Sequence, residues 1–191
     1  NYSSGSDDRE AYGGAIRIEL NRWSSGNNYL YPYKSVFINN TFVNNKALGS
    51  GTRNGYGGAI RYQWAQKTVL FNNNFWGNRG NNFGSDSSKH ELAQLWDDSN
   101  SQPAASNNNF KHSKDRGNSF GSNNISRDPQ FYGGTDDKYK LSDGSFLIGA
   151  GTKSFESQTA PTKDILGNTR PSGSSTDNPD IGAYENSLAK T

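Results

Sequence analysis

Short runs of alternating hydrophobic and polar residues recur along the chain, and each run ends at a pair of asparagines. Residues 36–47 read VFINNTFVNNKA, and residues 69–80 read VLFNNNFWGNRG, with apolar side chains at the same offsets. Alternation with a period of two is typical of β-strands that bury one face. The interpretation that one face resumes after each Asn pair predicts six inward residues: Val36, Ile38, Phe42, Val69, Phe71 and Phe75.

A second phrase, YGGAIR, occurs at residues 12–17 and again at residues 56–61, and a weaker copy of the Asn phrase lies at residues 104–110. Such repetition predicts stacked units, each of which buries its apolar face against the next. Asparagine suits the turns because it tolerates left-handed backbone and can bond its own main chain. Equivalent amides are then expected to bond one another along the stack, in a ladder of Asn40, Asn73 and Asn108.

The composition changes this picture only slightly. Hydrophobic residues make up 30% of the 191 residues, a fraction low enough for disorder, but aromatic residues reach 13% and stand at fixed offsets from the Asn pairs. A narrow solenoid with many turns fits both values. The net charge of +2 comes from 20 basic and 18 acidic residues. It favours neither nucleic acid nor a membrane surface as partner, and no apolar run is long enough to insert into a bilayer.

The chain contains neither cysteine nor methionine. The lack of cysteine excludes disulfides, thiolate metal sites and cysteine nucleophiles, and it is compatible with a bacterial exported protein. With Asn at position 1 and no Met, the chain is expected to be a piece of a longer translation product.

Four further phrases lie in the last third of the chain: NNISRDPQF at 123–131, YKLSDGSFLIGAG at 139–151, DILGNTRP at 164–171 and DIGAYE at 180–185. Together with the repeats, they resemble the right-handed parallel β-helix family of pectin-lyase-like proteins. The ending is similar to the C-terminal part of bacterial choice-of-anchor Q exported proteins, although Phe146 stands where proline is usual.

This resemblance implies an all-β solenoid, with coils and loop insertions in residues 1–126 and a C-terminal capping segment in residues 127–191. It also implies a secreted or cell-surface protein. The closing motifs are specific to the architecture and not to an activity.

Within the capping segment, Asp164, Arg170, Asp180 and Glu185 are expected to form a charged clasp that pins the last turns. A calcium site made of Asp164, Asp180 and Glu185 is the alternative, since calcium prefers several carboxylate oxygens. No D-x-D-x-D loop is present, so no cofactor is otherwise predicted.

An insertion between the predicted strands carries the aromatic residues Trp23, Tyr29, Tyr31 and Tyr33 among Asn and Ser. Aromatic rings pack on the apolar faces of sugars while amides bond the hydroxyls, so these four rings are the candidate ligand-binding residues. The alternative is that the loop folds back and buries its own rings against the solenoid.

Stacking the two YGGAIR phrases in register places Arg17 beside Arg61, about 4.8 Å apart by strand spacing. Two outward arginines would suit an anion, either a uronate carboxylate or Glu19. They are therefore weak candidates for catalysis. A solvated face with ordinary charged neighbours is the favoured interpretation.

The two histidines, His90 and His112, do not have the spacing of a zinc motif. Residues 89–97 allow a short helix with a capping box, but the family comparison favours a strand around residues 92–96.

Two functions fit these observations. The first is a non-catalytic module that binds a glycan or a partner protein on the bacterial surface. The alternative is a polysaccharide lyase or hydrolase that acts on acidic polysaccharide, with Arg17 and Arg61 contributing and part of the site upstream. An acidic groove on the central coils would favour the enzyme, and an exposed aromatic loop would favour the binding module.

Overall fold

The computed structural model describes residues 2–4, 11–19, 34–50, 53–63, 68–81, 95–97, 103–110 and 121–188. In these ranges the regular structure is entirely β, and no residue is helical. These ranges therefore hold no helix that could cross a bilayer.

The strands fall into repeats that follow the sequence phrases. The first repeat comprises β2 (Ala11–Tyr12), β3 (Ile16–Glu19), β4 (Val36–Ile38), β5 (Thr41–Val43) and β6 (Lys46–Leu48), and β1 (Tyr2–Ser4) precedes it. The second comprises β7 (Gly55–Tyr56), β8 (Ile60–Gln63), β9 (Val69–Phe71), β10 (Asn74–Trp76) and β11 (Arg79–Gly80). The third comprises β12 (Leu95–Asp97), β13 (Ala104–Ser106) and β14 (Asn109–Phe110), and a hairpin of β15 (Ser154–Phe155) and β16 (Gln158–Thr159) follows near the C-terminus.

Corresponding strands of successive repeats pair in parallel, so the repeats stack. The three-stranded sheets have the orders β3-β8-β12, β4-β9-β13, β5-β10-β14 and β1-β6-β11, and β2 pairs with β7. The predicted register is confirmed, because Val36 pairs with Val69 and Phe42 with Phe75. Of the strand predicted around residues 92–96, the described part lies in β12, which pairs with β8, and residues 89–94 lie outside the described ranges.

The core between the sheets is built on a column of phenylalanines. The rings of Phe42 and Phe75 lie 4.8 Å apart and only 3° from parallel, and Phe110 follows at 6.3 Å from Phe75. Phe75 is fully buried. The same cluster includes Leu70 and, packed against it, Phe37. The prediction that Phe42 and Phe75 share the inward face is therefore correct.

The rest of the predicted inward face is wrong. Val36, Ile38, Val69 and Phe71 lie on the opposite side of their strands, where Val69 and Phe71 form a separate cluster with Ala160. The error arises at the turn, because the first Asn of each pair adopts left-handed backbone and shifts the alternation by one position. Apolar residues also occupy both faces of β9, since its outer face is covered by the C-terminal segment.

The predicted asparagine ladder is present and extends one step further than expected. Asn40 donates from both its backbone N–H and its Nδ2 to Asn73 Oδ1, at 3.0 Å each. Asn73 donates in the same way to Asn108 Oδ1, at 2.9 and 3.0 Å. Asn108 continues the pattern to Asn124, at 2.9 and 3.0 Å. Each rung therefore uses one carbonyl oxygen to accept two donors from the repeat before it.

A second ladder follows the next turn of each repeat. Asn45 donates from its backbone N–H and Nδ2 to Asn78 Oδ1, at 3.0 and 2.8 Å. The residue before each rung is left-handed, with φ of 56° at Asn44 and 65° at Gly77. Both ladders thus share one local plan, a left-handed residue followed by an amide that bonds the neighbouring repeat.

The left-handed asparagines of the first ladder bind a different partner. Asn39, Asn72 and Asn107 each donate from Nδ2 to a carbonyl of the C-terminal segment, namely Asp180 O at 2.8 Å, Thr152 O at 2.7 Å and Ala150 O at 3.1 Å. Residues 149–183 therefore run along the side of three repeats, and they are called the strap below.

We expect Phe75→Ala to destabilise the fold by about 3–5 kcal/mol, because it removes the middle ring of the phenylalanine column. Chemical denaturation measures this difference in the free energy of unfolding. Val36→Ala, at a position that is 36% exposed, is the control and should cost well under half as much. A loss below about 1 kcal/mol for Phe75→Ala would show that the column is not the core.

Asn73→Ala should lower the free energy of unfolding by about 1–3 kcal/mol. It removes the hydrogen-bond partner of the Asn40 donors and of the backbone carbonyls of Phe37 and Phe71. The exposed Asn178 provides the control, since Asn178→Ala should change stability by less than about 0.5 kcal/mol. Equal effects of the two substitutions in the same unfolding assay would refute the ladder.

Candidate functional site

The two candidate arginines are neighbours, as predicted, but their surroundings differ from the expected solvated face. Arg17 and Arg61 pair in register on β3 and β8. Arg17 is exposed, whereas Arg61 is only 6% exposed. Their guanidinium carbons lie 4.7 and 3.9 Å from the centre of the Tyr12 ring, which stacks on Tyr56.

This arrangement gives both arginines a cation–π contact with a single ring. Gly13 and Gly57 follow the two tyrosines with left-handed backbone, φ of 60° and 68°, and the turn at Gly13 brings Tyr12 back near both arginines. A buried guanidinium packed on a ring is poorly placed to meet a polymeric substrate. The prediction that both arginines lie on a solvated face is therefore wrong for Arg61, which is buried, and correct for Arg17, which is exposed.

Other candidate residues lie outside the described ranges. The aromatic insertion with Trp23, Tyr29, Tyr31 and Tyr33 belongs to residues 20–33, which the structure does not describe. His90 and His112 are also outside these ranges. The proposed roles of these residues stay predictions.

The charged clasp predicted near the C-terminus is present. Arg170 Nε donates to Glu185 Oε2 at 2.9 Å, and Arg170 Nη2 donates to Gly182 O at 3.1 Å. The backbone N–H of Asp180 donates to the same Glu185 oxygen at 3.1 Å, and the N–H of Glu185 donates to Asp164 Oδ2 at 3.1 Å. All four charged side chains are at least nine-tenths buried. They join Glu185, just beyond the end of the strap, to Asp164, Arg170 and Asp180 within it.

The calcium alternative does not fit this geometry. Asp180 Oδ1 and Oδ2 accept bonds from the N–H groups of Gly149 and Asn186, and both Glu185 oxygens accept from N–H donors as well. Asp164 Oδ1 accepts from the N–H groups of Leu166 and Asn168. In the described part of the chain, no three acidic or histidine side chains converge on a point that a metal could occupy. These carboxylates therefore hold backbone in place.

Burial and hydrogen bonding compete in setting the pKa values of the clasp. Burial raises the pKa of Asp180 to about 7, and the nearby Glu185 carboxylate raises it further. The hydrogen bonds from the N–H groups of Asn186 and Gly149 act in the opposite direction. Burial also raises the pKa of Glu185, despite Arg170. Burial acts in the same direction on Asp164, but the N–H donors of Glu185, Asn168 and Leu166 outweigh it and hold its pKa below the usual value.

Two open grooves on the C-terminal segment were not predicted from the sequence. One has a volume of about 370 Å³ and includes Tyr132, Asp136 and Asp137 in its lining. The other has a volume of about 400 Å³ and includes residues of the 168–187 segment. Lys140 and Leu141 line both, so the two grooves adjoin. The only signal in the sequence was the phrase YGGTDD at residues 132–137, an aromatic residue beside a Gly-rich acidic turn.

Compared with known proteins, the chain matches no family model, no curated protein sequence and no solved structure at a significant level. The function is therefore inferred from the geometry of its own residues.

The buried carboxyl of Asp180 predicts a specific pH dependence. Its pKa is raised from an ordinary value of 3.8 to about 7, so the folded chain holds this proton more tightly than the unfolded chain. Its contribution to stability is therefore full below about pH 4 and is lost as the pH rises through about 7. We expect the difference in unfolding free energy between the wild type and Asp180→Asn to be largest near pH 4 and smaller at pH 8.

Urea unfolding across this range measures the difference, with the exposed Asp136→Asn as the matched control. If the difference in unfolding free energy between the wild type and Asp180→Asn grew between pH 4 and pH 8, the raised pKa of Asp180 in the folded chain would be contradicted.

Proposed function

We propose that the chain is a right-handed parallel β-helix module of a bacterial exported protein, and that it binds a glycan or a partner protein without catalysing a reaction. The observation that carries the proposal is the pair of adjoining open grooves beside Lys140, one of which includes a tyrosine that is 73% exposed. Open polar grooves with an exposed ring are typical of surfaces that bind sugars.

The architecture supports the family part of the proposal. Parallel strands that pair in register from one repeat to the next, with amide ladders at the turns, are consistent with a β-helix. The resemblance of the closing phrase DIGAYE supports a secreted or cell-surface location and a choice-of-anchor type of protein. The handedness and the location belong to the proposal.

The distribution of charge supports binding over catalysis. A lyase needs a base that reaches the substrate and a cation that neutralises the uronate. Among the described residues, Arg61 is packed on Tyr12, and the carboxylates of Asp164, Asp180 and Glu185 accept bonds in the clasp. Arg61 and these three carboxylates therefore support the fold, and Arg17 is the exposed member of the candidate pair.

The test is an assay for lyase activity on acidic polysaccharides, read as the absorbance of unsaturated uronate products. We expect no turnover from the isolated chain. Arg17→Ala and Arg61→Ala serve as diagnostic variants, and the first of them alters an exposed side chain. Robust turnover that Arg17→Ala abolishes would overturn the proposal in favour of the lyase.

A glycan array with the same protein tests the binding half of the proposal. We expect retention of at least one class of saccharide. Simultaneous replacement of Trp23, Tyr29, Tyr31 and Tyr33 by alanine measures how much the aromatic insertion contributes to that retention. If the wild type retains no saccharide, glycan binding is excluded.

A further inference from the structure

The loop formed by residues 130–142 is held rigidly by its own backbone. Phe131 and Leu141 form an antiparallel bridge, and Tyr132 N–H donates to Lys140 O at 2.8 Å. Below them, the ring of Phe131 meets the ring of Tyr139 edge-on at 5.4 Å. The loop is therefore a fixed support for the side chains at its tip.

Tyr132 is the most prominent of these side chains. It is 73% exposed, although its backbone is fixed on both sides. Gly134 lies directly against the ring, since a Cβ at that position would stand 3.2 Å from Tyr132 Cδ1. The ring is thus supported by main chain and lines the groove of about 370 Å³. A supported, solvent-facing ring suits the apolar face of a pyranose, because stacking then costs little side-chain entropy.

The polar groups of this groove suit hydroxyls better than acids. Lys140 forms an ion pair with Asp137, so its charge is already compensated. The Asp136 side chain is exposed and forms no ion pair or hydrogen bond with another described residue. A carboxylate of this kind accepts bonds from sugar hydroxyls and repels a uronate or a sulfate. The groove therefore favours a neutral sugar.

The adjoining groove continues the same chemistry. Beyond the shared Lys140, its lining includes Asn168, Thr169 and Tyr184, whose side chains carry no charge. Asn168 Nδ2 donates to Asp164 and Thr169 Oγ1 accepts from Lys163, which leaves the Asn168 side-chain carbonyl oxygen and the two hydroxyl hydrogens for a ligand. Glu185 also lines this groove, but its carboxylate is bonded to Arg170, Ser172 and the N–H of Asp180. A ligand that crosses Lys140 would therefore meet uncharged donors and acceptors on the far side.

We propose that the two grooves form one binding site for a neutral oligosaccharide, with a sugar ring stacked on Tyr132 and its hydroxyls bonded to Asp136, and with the chain of sugars passing Lys140 toward Asn168 and Tyr184. This inference rests on the glycan half of the proposed function. It differs from the lyase alternative in the charge of the sugar that it selects.

The experiment is isothermal titration of the full chain with neutral hexose oligomers (cellohexaose, mannohexaose and a galactan hexamer) and with a hexamer of galacturonate. We expect binding of at least one neutral hexamer and no measurable binding of the acidic one. Tyr132→Ala should weaken the neutral ligand about tenfold or more, and Asp136→Asn should weaken it several-fold. Phe146→Ala is the matched control, because Phe146 is an exposed ring, at 57%, that lines neither groove, and its loss should leave affinity unchanged.

Unfolding curves establish that each variant is folded. Neutral binding that Tyr132→Ala and Asp136→Asn both leave intact would overturn the site while the proposed function stands. Preference for the galacturonate hexamer would overturn the selection of neutral sugars. A wild type that binds none of these hexamers but retains another saccharide on the array would overturn this inference alone, and one that retains nothing in either assay would overturn the glycan half of the proposed function as well.

Discussion

The structure depends on pairs of asparagine at the turns between strands. In each pair of the first ladder the first residue is left-handed, with φ between 50° and 56° at Asn39, Asn72, Asn107 and Asn123. This backbone turns the chain and leaves the side chain to bind the strap, while the second residue bonds the next repeat. The two asparagines of a pair therefore have different roles, one in the turn and the other in the ladder. A buried amide is costly unless its donors and acceptor are bonded, so each pair is committed to one arrangement.

The amide bonds also explain how a chain with few apolar residues builds a core. Hydrophobic residues make up 30% of the chain, and the phenylalanine column supplies a narrow interior. Around it, fully buried polar residues such as Asn73, Asn78 and Asn108 occupy positions that aliphatic residues hold in most proteins. Buried asparagines and the buried Arg61 and Arg170 thus serve the architecture. Two adjoining grooves beside Lys140 provide open surface on the C-terminal segment.

The periodicity of the sequence predicted how the repeats stack but not which side chains face the core. The register of the repeats and the Asn40–Asn73–Asn108 ladder followed from matching phrases, because parallel pairing aligns equal offsets. The inward face could not be predicted in this way, because one left-handed residue at the turn reverses the alternation. In addition, the strap covers the outer face of β9, so apolar residues occupy both faces of that strand. The grooves were not predicted because the phrase YGGTDD is a weak signal and residues 132–141 and 168–187 meet only in three dimensions. The burial of Arg61 required knowing that Tyr12 folds back over it.

The strap has a consequence for how the chain folds. Stacked repeats ordinarily interact only with their neighbours, so they nucleate anywhere and fray from their ends. Here Asn39 is bonded to Asp180 across 141 residues, and the same segment also holds Asn72 and Asn107. Contacts at such separation lengthen the search for the native topology and slow folding. We therefore expect the early repeats to close only after residues 150–182 have been synthesised, and the closed molecule to open as one cooperative unit instead of repeat by repeat.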